Sequence, residues 1–222
     1  MRFWLWLGLD DARRAVPGFP GPRVSAWRGN VSLQHGVCRP EVRNDALHVT
    51  VHVIEGLPNL RNPAEHARIV EAIRESQERF GCRITEFSVL SNHLHLILEA
   101  GSGAGLAQAM KGLLVRIARR LNPLWKRKGS MFRERFHARV LKTYQEVKNA
   151  VRYVLLNARK HGIRIPKDQP DPCSSGPWYE RWFERGGKPF RSEGKPVVRG
   201  RTMYLEGGYP LWLDLNEVPG SR

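Results

Sequence analysis

The sequence predicts an α+β domain in which helices cover one face of an antiparallel sheet, flanked by irregular segments. Apolar and polar residues alternate, as in strands, over residues 46–54, 83–90, 91–99 and 131–141. Amphipathic helical patterns separate and follow these runs. The order is strand, helix, strand, strand, helix, strand, helix, as in the ferredoxin-like, RRM-type split unit. We therefore expect a sheet whose second face is free for a ligand.

Segments rich in Pro and Gly, without a sustained period, lie on both sides of this unit. We divide the 222 residues into an arm rich in Pro, Gly and Arg (1–44), a central domain (45–165) and a Pro- and Gly-rich tail (166–222). The length allows one domain with extensions, or two small domains. Four tail aromatics are expected to pack on the central domain: Trp178, Tyr179, Trp182 and Phe183.

Capping residues mark the first helix. Its start is predicted from three residues: Asn62 as N-cap, Pro63 at the first helical position and Glu65 as the partner in a capping box. We expect it to run to about Phe80 and to stop at Gly81. Its predicted buried stripe consists of Ile69, Val70, Ile73 and Phe80.

The strand over residues 91–99 carries two histidines one residue apart. His93 and His95 share a face with Ile97 and Glu99, and leucines occupy the opposite face. Neutral imidazole nitrogens are good ligands for divalent metals. Two partly exposed polar residues of an ordinary strand give the same pattern, so the motif alone leaves both interpretations open. In the first strand, His48 and His52 also share a polar face and are weaker candidates for contact with a substrate.

A second set of polar residues lies on the last helix, which Thr143 and Glu146 open with a capping box. Asn149, Tyr153 and Asn157 are four residues apart and form one ridge. A tyrosine and an amide one turn apart can reach the same small object. A tyrosine at the rim of the core, with its hydroxyl in water, is the simpler interpretation of that residue alone.

The two sets combine into a candidate catalytic centre. A divalent cation held by His93, His95 and the side-chain oxygen of Asn157 would place Tyr153 beside the group that the metal polarises. This arrangement suits phosphoryl transfer, in which the metal acts as a Lewis acid and a side chain attacks in line. A phenol, with a pKa of about 10, forms an aryl phosphate that can be resealed without ATP.

The charge balance points to a polyanionic partner. The chain has 37 Lys plus Arg against 21 Asp plus Glu, a formal charge of +16. Nucleic acid is the first candidate and an anionic membrane surface the second. Residues 111–142 contain eleven basic residues and one acidic residue. A solvated face could also give such a run, but with so few compensating acids its field should concentrate phosphates locally. Our candidate DNA-binding residues are Lys111, Arg116, Arg119, Arg120, Lys126, Arg127, Lys128, Arg133, Arg135 and Arg139.

Cysteine usage and the first residues bear on the compartment. Cys38, Cys82 and Cys173 are scattered and form no Cys-x-x-Cys pair, so neither a disulfide framework nor a thiolate zinc site is predicted. The apolar residues 3–7 are too few to span a bilayer and lack a cleavage signature. We therefore expect a cytoplasmic protein without a membrane partner.

Several motifs, in order, resemble those of the REP-associated tyrosine transposases, members of the single-tyrosine HUH (insertion-sequence 200-like) transposase superfamily. They are His48-Val49-Thr50, Asn92-His93-Leu94-His95-Leu96, a basic helix, Phe132-x-x-x-Phe136-His137, Arg152-Tyr153-Val154-x-x-Asn157 and Ser174-Ser175-Gly176-Pro177-Trp178. The resemblance covers about residues 45–185, and the combination is specific although each part is weak. Asn157 stands where related transposases often have Gln.

The resemblance implies a ferredoxin-like nuclease domain that binds hairpin-bearing single-stranded DNA, in the bacterial cytoplasm and associated with the nucleoid. It implies that His93 and His95 are the HUH ligands of Mg²⁺ or Mn²⁺, with Asn157 as third ligand. Tyr153 would be the nucleophile that forms a 5′-phosphotyrosine and frees a 3′-hydroxyl. The implied function is cleavage and rejoining at REP-like palindromic hairpins. A monomer and a homodimer both remain open, as does action of Tyr153 in cis or in trans.

Two binding functions are the alternatives. The first is a domesticated, non-catalytic protein of the same fold that binds hairpin DNA or RNA. The second is an RRM-like RNA binder, which requires stacking aromatics on the sheet. The sheet carries His93 and His95 there instead, so we favour the enzyme.

Overall fold

An antiparallel sheet forms the middle layer of the protein. The computed structural model describes residues 31–32, 42–133, 136–206 and 211–217, so Arg135, Cys38 and most of the predicted arm lie outside the described residues. The strands are β1 (Val31–Ser32), β2 (Asp45–His52), β3 (Cys82–Val89), β4 (His93–Ala100) and β5 (His137–Leu141). Their order is β1-β5-β2-β4-β3, and every neighbouring pair is antiparallel. The predicted ferredoxin-like sheet is confirmed, with the order β5-β2-β4-β3, and β1 extends its edge. The strand predicted over residues 131–141 is shorter than expected, because β5 begins only at His137.

Two helices cover the leucine face of the sheet. They are α1 (Pro63–Arg74) and α2 (Gly103–Leu124), and both pack on the core that contains Leu94, Leu96 and Leu98. The apolar stripe of α2 is fully buried: Leu106, Met110, Leu113, Ile117 and Leu121. Within the described residues, no helix combines the length and the apolar character needed to cross a bilayer.

The predicted start of α1 is confirmed, with Asn62 as the N-cap residue and Pro63 as the first helical residue, but the predicted capping box and the predicted end are wrong. The Asn62 side chain makes no capping hydrogen bond, and Glu65 is buried, where it accepts a hydrogen bond from Trp125 Nε1 at 3.0 Å. A tertiary partner thus takes the carboxylate from the predicted capping box. The helix ends at Arg74, and Phe80 has a φ of 55° and is 54% exposed. Phe80 therefore belongs to a turn and not to the buried stripe.

The third helix, α3 (Tyr144–Lys160), lies on the histidine face of the sheet. It begins with the predicted capping box of Thr143 and Glu146 and packs its apolar stripe on Ala46, Ile97 and Leu141. The second face of the sheet is therefore partly covered instead of free. His52, at the end of β2, remains exposed.

The tail continues this second layer and pairs with the edge of β3. The Val89 N–H donates to Cys173 O at 2.8 Å, and the Ser175 N–H donates to Phe87 O at 2.9 Å. A short helix, α4 (Met203–Glu206), follows. Three of the four tail aromatics are buried, as expected: Trp178, Tyr179 and Trp182. The fourth, Phe183, is 62% exposed.

A buried ion pair attaches the tail to the loop before α1. Arg61 donates two parallel hydrogen bonds to the Asp171 carboxylate, at 2.8 and 2.7 Å. The Arg61 and Asp171 side chains are 12% and 2% exposed. Two further hydrogen bonds involve the backbone: Cys173 N donates to Asp171, and Arg61 donates to Val89 O. Together with the bidentate geometry, they offset the desolvation of both charges.

A buried carboxyl on β3 makes the stability of this layer depend on pH. Ser175 Oγ donates a hydrogen bond to Glu86, yet burial raises the pKa of Glu86 to about 7, against the opposing influence of Ser175 and Lys195. The folded state therefore keeps a proton that the unfolded chain releases near pH 4.5. Stability is lost as pH rises between these two values.

We predict that Glu86→Gln, which keeps a neutral acceptor for Ser175, stabilises the protein at pH 8 and has little effect at pH 4.5. A shift from 4.5 to about 7 corresponds to about 3 kcal/mol in the free energy of unfolding at pH 8. Urea unfolding of both proteins at the two pH values measures the difference. An equal effect of the substitution at both pH values would contradict the assignment.

Candidate active site

The pairing of β2 with β4 brings four histidines to one end of the sheet. His52 lies opposite His93, and Thr50 lies opposite His95. His48, two residues before Thr50, shares the same face. The His52 and His93 rings stack with centroids 4.9 Å apart, and those of His93 and His95 meet edge to face at 4.8 Å.

His95 is the most enclosed of these rings. Its Nδ1 lies 3.1 Å from His48 Nε2 and 3.1 Å from Thr50 Oγ1. Its Nε2 is buried and has no hydrogen-bond partner among the described residues. His93 Nδ1 lies 2.8 Å from Asn92 Oδ1, which orients the second ring.

Burial keeps three of these imidazoles, those of His48, His93 and His95, neutral at physiological pH, because it lowers their pKa values. It lowers the pKa of His95 to about 2, with a smaller contribution from the neighbouring imidazoles. The pKa values of His93 and His48 are lowered to about 4 for the same main reason, with Arg139 adding to the effect on His48. Neutral imidazoles carry the lone pair that metal ligation requires.

Helix α3 places Tyr153 against these rings. The Tyr153 ring centroid lies 5.3 Å from that of His95 and 5.8 Å from that of His48. Burial raises the pKa of Tyr153 above its ordinary value, against a smaller effect of Asn157. Lys160 Nζ lies 5.0 Å from the centroid of the Tyr153 ring, and its positive charge there favours a phenolate.

The other two members of the predicted ridge have different environments. Asn157 is fully buried, and among the described residues neither its amide oxygen nor its amide nitrogen makes a hydrogen bond of standard geometry, although the amide is near enough to Tyr153 to lower the pKa of the phenol. Asn149 is exposed and accepts a hydrogen bond from Gln145 Nε2 at 3.0 Å. The structure thus brings His93, His95 and Tyr153 together, buries Asn157 one turn farther along α3, and leaves Asn149 at the surface.

The donor set fits a divalent cation. Buried polar atoms without partners are costly, by about 1–3 kcal/mol each, and both His95 Nε2 and Asn157 Oδ1 are of this kind. A bound cation would satisfy both lone pairs. The described residues contain no group of three or more His, Cys, Asp or Glu side chains that could hold a metal ion. A third protein ligand would therefore be of another type, such as the Asn157 amide.

Four of the ten predicted DNA-binding residues lie on the side of the sheet away from Tyr153. Helix α2, which carries Lys111, Arg116, Arg119 and Arg120, packs on the leucine face. Arg120 is already paired with two carboxylates of α1, Glu71 at 3.6 Å and Glu75 at 2.6 Å. Lys111 and Arg119 are exposed.

Four further basic candidates lie in the segment between α2 and β5. Lys126, Arg127 and Lys128 follow α2 in a loop whose end is tied to β2, because Arg133 N donates to His52 O at 3.1 Å and Ile54 N donates to Met131 O at 2.9 Å. Arg127 donates to Ser130 O at 2.9 Å and to Asn122 Oδ1. Lys126, Lys128 and Arg133 are exposed and pair with no carboxylate of the described residues.

Arg139 is the predicted basic residue that faces the histidines most directly. It lies opposite His48 in the pairing of β2 with β5. Its guanidinium forms an ion pair with Glu146 at 2.6 Å, so part of its charge is neutralised within the protein.

Three residues of the site escaped the sequence-based prediction. Thr50 contacts His95, Lys160 lies over Tyr153, and the His161 ring lies 5.6 Å from that of His93. Lys160 and His161 are seven and eight residues after Tyr153, so helical spacing placed both on its face and was a usable signal. Thr50 had no comparable signal, because its partner depends on the register between two strands.

A helix-borne tyrosine facing a His-x-His strand in a ferredoxin-like sheet defines the class of single-tyrosine transposases. Residues 41–156, more than half of the chain, match the family described as Transposase IS200 like, and the chain belongs to that family. This confirms the resemblance inferred from the motifs.

A solved structure supports the same fold. The structure of a REP-associated tyrosine transposase bound to a REP hairpin matches with a TM-score of 0.53 at 16% sequence identity, covering 74% of this chain and 94% of that one. Among curated proteins, none matches the sequence.

We predict that Asn157→Leu weakens metal binding without destabilising the fold. The substitution removes a buried amide without partners, so the free energy of unfolding without metal should stay constant or rise by about 1–3 kcal/mol. Saturating Mn²⁺ should stabilise the wild-type protein, by about 2.7 kcal/mol at one hundred times its dissociation constant, and should stabilise the variant much less. Thermal unfolding with and without Mn²⁺ measures both effects.

Asn149→Leu is the matched control, because Asn149 lies two turns away on the same ridge and is exposed. It should retain the stabilisation by Mn²⁺. Full stabilisation of Asn157→Leu by Mn²⁺ would remove Asn157 from the ligand set.

Proposed function

We propose that this protein cleaves and rejoins single-stranded DNA at REP-like palindromic hairpins in the bacterial cytoplasm, with Tyr153 as the nucleophile. The observation that carries the proposal is the contact of the Tyr153 ring with His95 and His48, in a group of neutral imidazoles that contains an unpaired buried nitrogen. Membership of the IS200-like transposase family supports it.

His93, His95 and Asn157 are the residues that would hold Mg²⁺ or Mn²⁺. The ion, when bound, would polarise a phosphate oxygen and stabilise the leaving oxygen. The imidazoles of His93 and His95 and the amide of Asn157 are neutral. The full positive charge of the ion would therefore be available to the phosphate. The rings of His52 and His161 pack against His93 and restrict its motion.

Tyr153 supplies the covalent step. Its phenolate oxygen attacks the phosphorus, a tyrosine O–P bond forms, and the bond between phosphorus and the 3′ oxygen breaks. The 3′ oxygen takes up a proton and leaves as a hydroxyl, and the 5′ phosphate remains on Tyr153. Attack by a 3′-hydroxyl on this phosphotyrosine reverses the reaction and reseals DNA without ATP. Lys160, above the Tyr153 ring, favours loss of the phenol proton.

The choice of hairpin DNA as substrate rests on charge and on fold. The solved structure with the matching fold is bound to a REP hairpin. In this chain, Arg133 is exposed and its backbone pairs with His52 at the end of β2, so a phosphate bound to Arg133 would lie close to the histidines. Together with Lys126 and Lys128, which are exposed in the segment between α2 and Arg133, it forms the basic surface that is our choice for the hairpin contact.

We predict that the wild-type protein, incubated with Mn²⁺ and a labelled hairpin oligonucleotide, forms a covalent protein–DNA adduct that survives denaturing electrophoresis. Tyr153→Phe should abolish the adduct, because phenylalanine has no oxygen to attack the phosphorus. Tyr144→Phe, the same change on the same helix, should leave the adduct in place.

An adduct with Tyr153→Phe would show that another residue is the nucleophile. Hairpin binding by the wild-type protein without an adduct, over a range of metals and hairpins, would favour the alternative of a non-catalytic DNA- or RNA-binding protein of the same fold.

We also predict that hairpin affinity falls steeply with salt and that unpaired lysines account for part of the slope. The double substitution Lys126→Gln and Lys128→Gln should lower the slope of log affinity against log salt by about 2. Arg120→Gln should change the slope little, because Glu71 and Glu75 already neutralise that guanidinium. Fluorescence anisotropy between about 50 and about 200 mM salt measures the slopes. Equal slopes for the wild-type and doubly substituted proteins would exclude this surface.

A further inference from the structure

The environment of His95 Nδ1 determines which nitrogen of this ring is available to a ligand. His48 Nε2 and Thr50 Oγ1 both lie 3.1 Å from Nδ1, whereas the buried Nε2 has no hydrogen-bond partner. A neutral imidazole carries its proton on one of the two nitrogens. The partners of Nδ1 therefore control the state of Nε2.

The two tautomers differ in what they leave unpaired. With the proton on Nδ1, His95 donates to His48 Nε2 or to the Thr50 hydroxyl, and Nε2 presents a lone pair. With the proton on Nε2, a buried N–H has no acceptor among the described residues. Only the first tautomer can ligate a cation through Nε2, and the second buries an unpaired donor.

We propose that His48 and Thr50 are positioning residues that hold His95 with its proton on Nδ1, so that the Nε2 lone pair is directed to the divalent cation. This inference rests on the proposed function for the identity of the cation. Thr50 lies directly opposite His95 in the register of β2 and β4, and His48 lies two residues earlier on the same face. A hydrogen bond to the second nitrogen of a ligating histidine fixes the tautomer and the ring orientation and raises the basicity of the ligand.

The position of His48 suits an acceptor. Its ring centroid lies 5.1 Å from that of His95 and 5.8 Å from that of Tyr153, so it packs against the metal ligand and the nucleophile together. Loss of His48 should therefore disturb His95 through a lost hydrogen bond, and a replacement that restores an acceptor should repair it. Glutamine offers an amide oxygen for this purpose.

The first experiment reads the tautomer directly. Long-range ¹H–¹⁵N correlation spectra of the metal-free, DNA-free protein should show the His95 proton on Nδ1 in the wild type. In Thr50→Val and in His48→Leu, the population with the proton on Nε2 should rise, and His48→Gln should resemble the wild type. A wild-type His95 that carries its proton on Nε2 overturns the proposal.

The second experiment measures Mn²⁺ affinity, from the electron paramagnetic resonance signal of free Mn²⁺. Thr50→Val and His48→Leu should weaken binding by about 10- to 100-fold, the usual effect of losing such a partner, whereas His48→Gln retains most of the affinity. Thr85→Val is the matched control, because the Thr85 hydroxyl donates to Ile97 O at 3.1 Å, on the opposite edge of β4 from Thr50. It should bind Mn²⁺ as the wild type does. Circular dichroism verifies the fold of each variant.

The outcomes separate this proposal from the proposed function. Wild-type affinity in both Thr50→Val and His48→Leu overturns the positioning role. Absence of Mn²⁺ binding by the wild-type protein overturns the metal site and the positioning role together. Mn²⁺ binding that depends on Thr50 and His48, without a covalent adduct on hairpin DNA, refutes the proposed cleavage and leaves the positioning role in place.

Discussion

The antiparallel register of β2 with β4 is the constraint on which the site depends. It sets Thr50 opposite His95 and His52 opposite His93. Because side chains alternate along a strand, a slip of one residue would move the histidines of one strand to the leucine face. The leucines of β4, buried under α1 and α2, make such a slip costly. The hydrophobic core on one side of the sheet thus fixes the polar site on the other.

The second core positions the nucleophile. Helix α3 presents its apolar stripe to Ala46, Ile97 and Leu141, and this packing sets the rotation of the helix about its axis. Tyr153 and Asn157 follow that rotation and lie toward the histidine end of the sheet. The tail contributes by burying Trp182 against the same core. This packing leaves buried polar atoms, such as His95 Nε2, without hydrogen-bond partners among the described residues. Such atoms are expected where a ligand completes the site.

The formal charge of +16 overstates the number of basic side chains that are free to bind phosphate. Arg61 is buried in an ion pair with Asp171, and Arg120 and Arg139 pair with carboxylates of α1 and α3. Lys126, Lys128 and Arg133, by contrast, are exposed, and the backbone of Arg133 pairs with the end of β2. The exposure and the ion pairs of the basic residues, rather than their number, therefore decide which of them are available to phosphate.

Local sequence patterns determined most of the strands, the capping box of α3, the His-x-His motif and the ridge that carries Tyr153, because each depends on residues that are close along the chain. The tertiary structure alone decided that Thr50 contacts His95 and that α3 lies on the histidine face. In the tertiary structure Glu65 also accepts a hydrogen bond from Trp125, sixty residues away, so the predicted capping box does not form. The register of the strands and the face on which a helix packs depend on contacts between distant segments. These contacts can override local preferences, and the periodicity of a sequence does not show them.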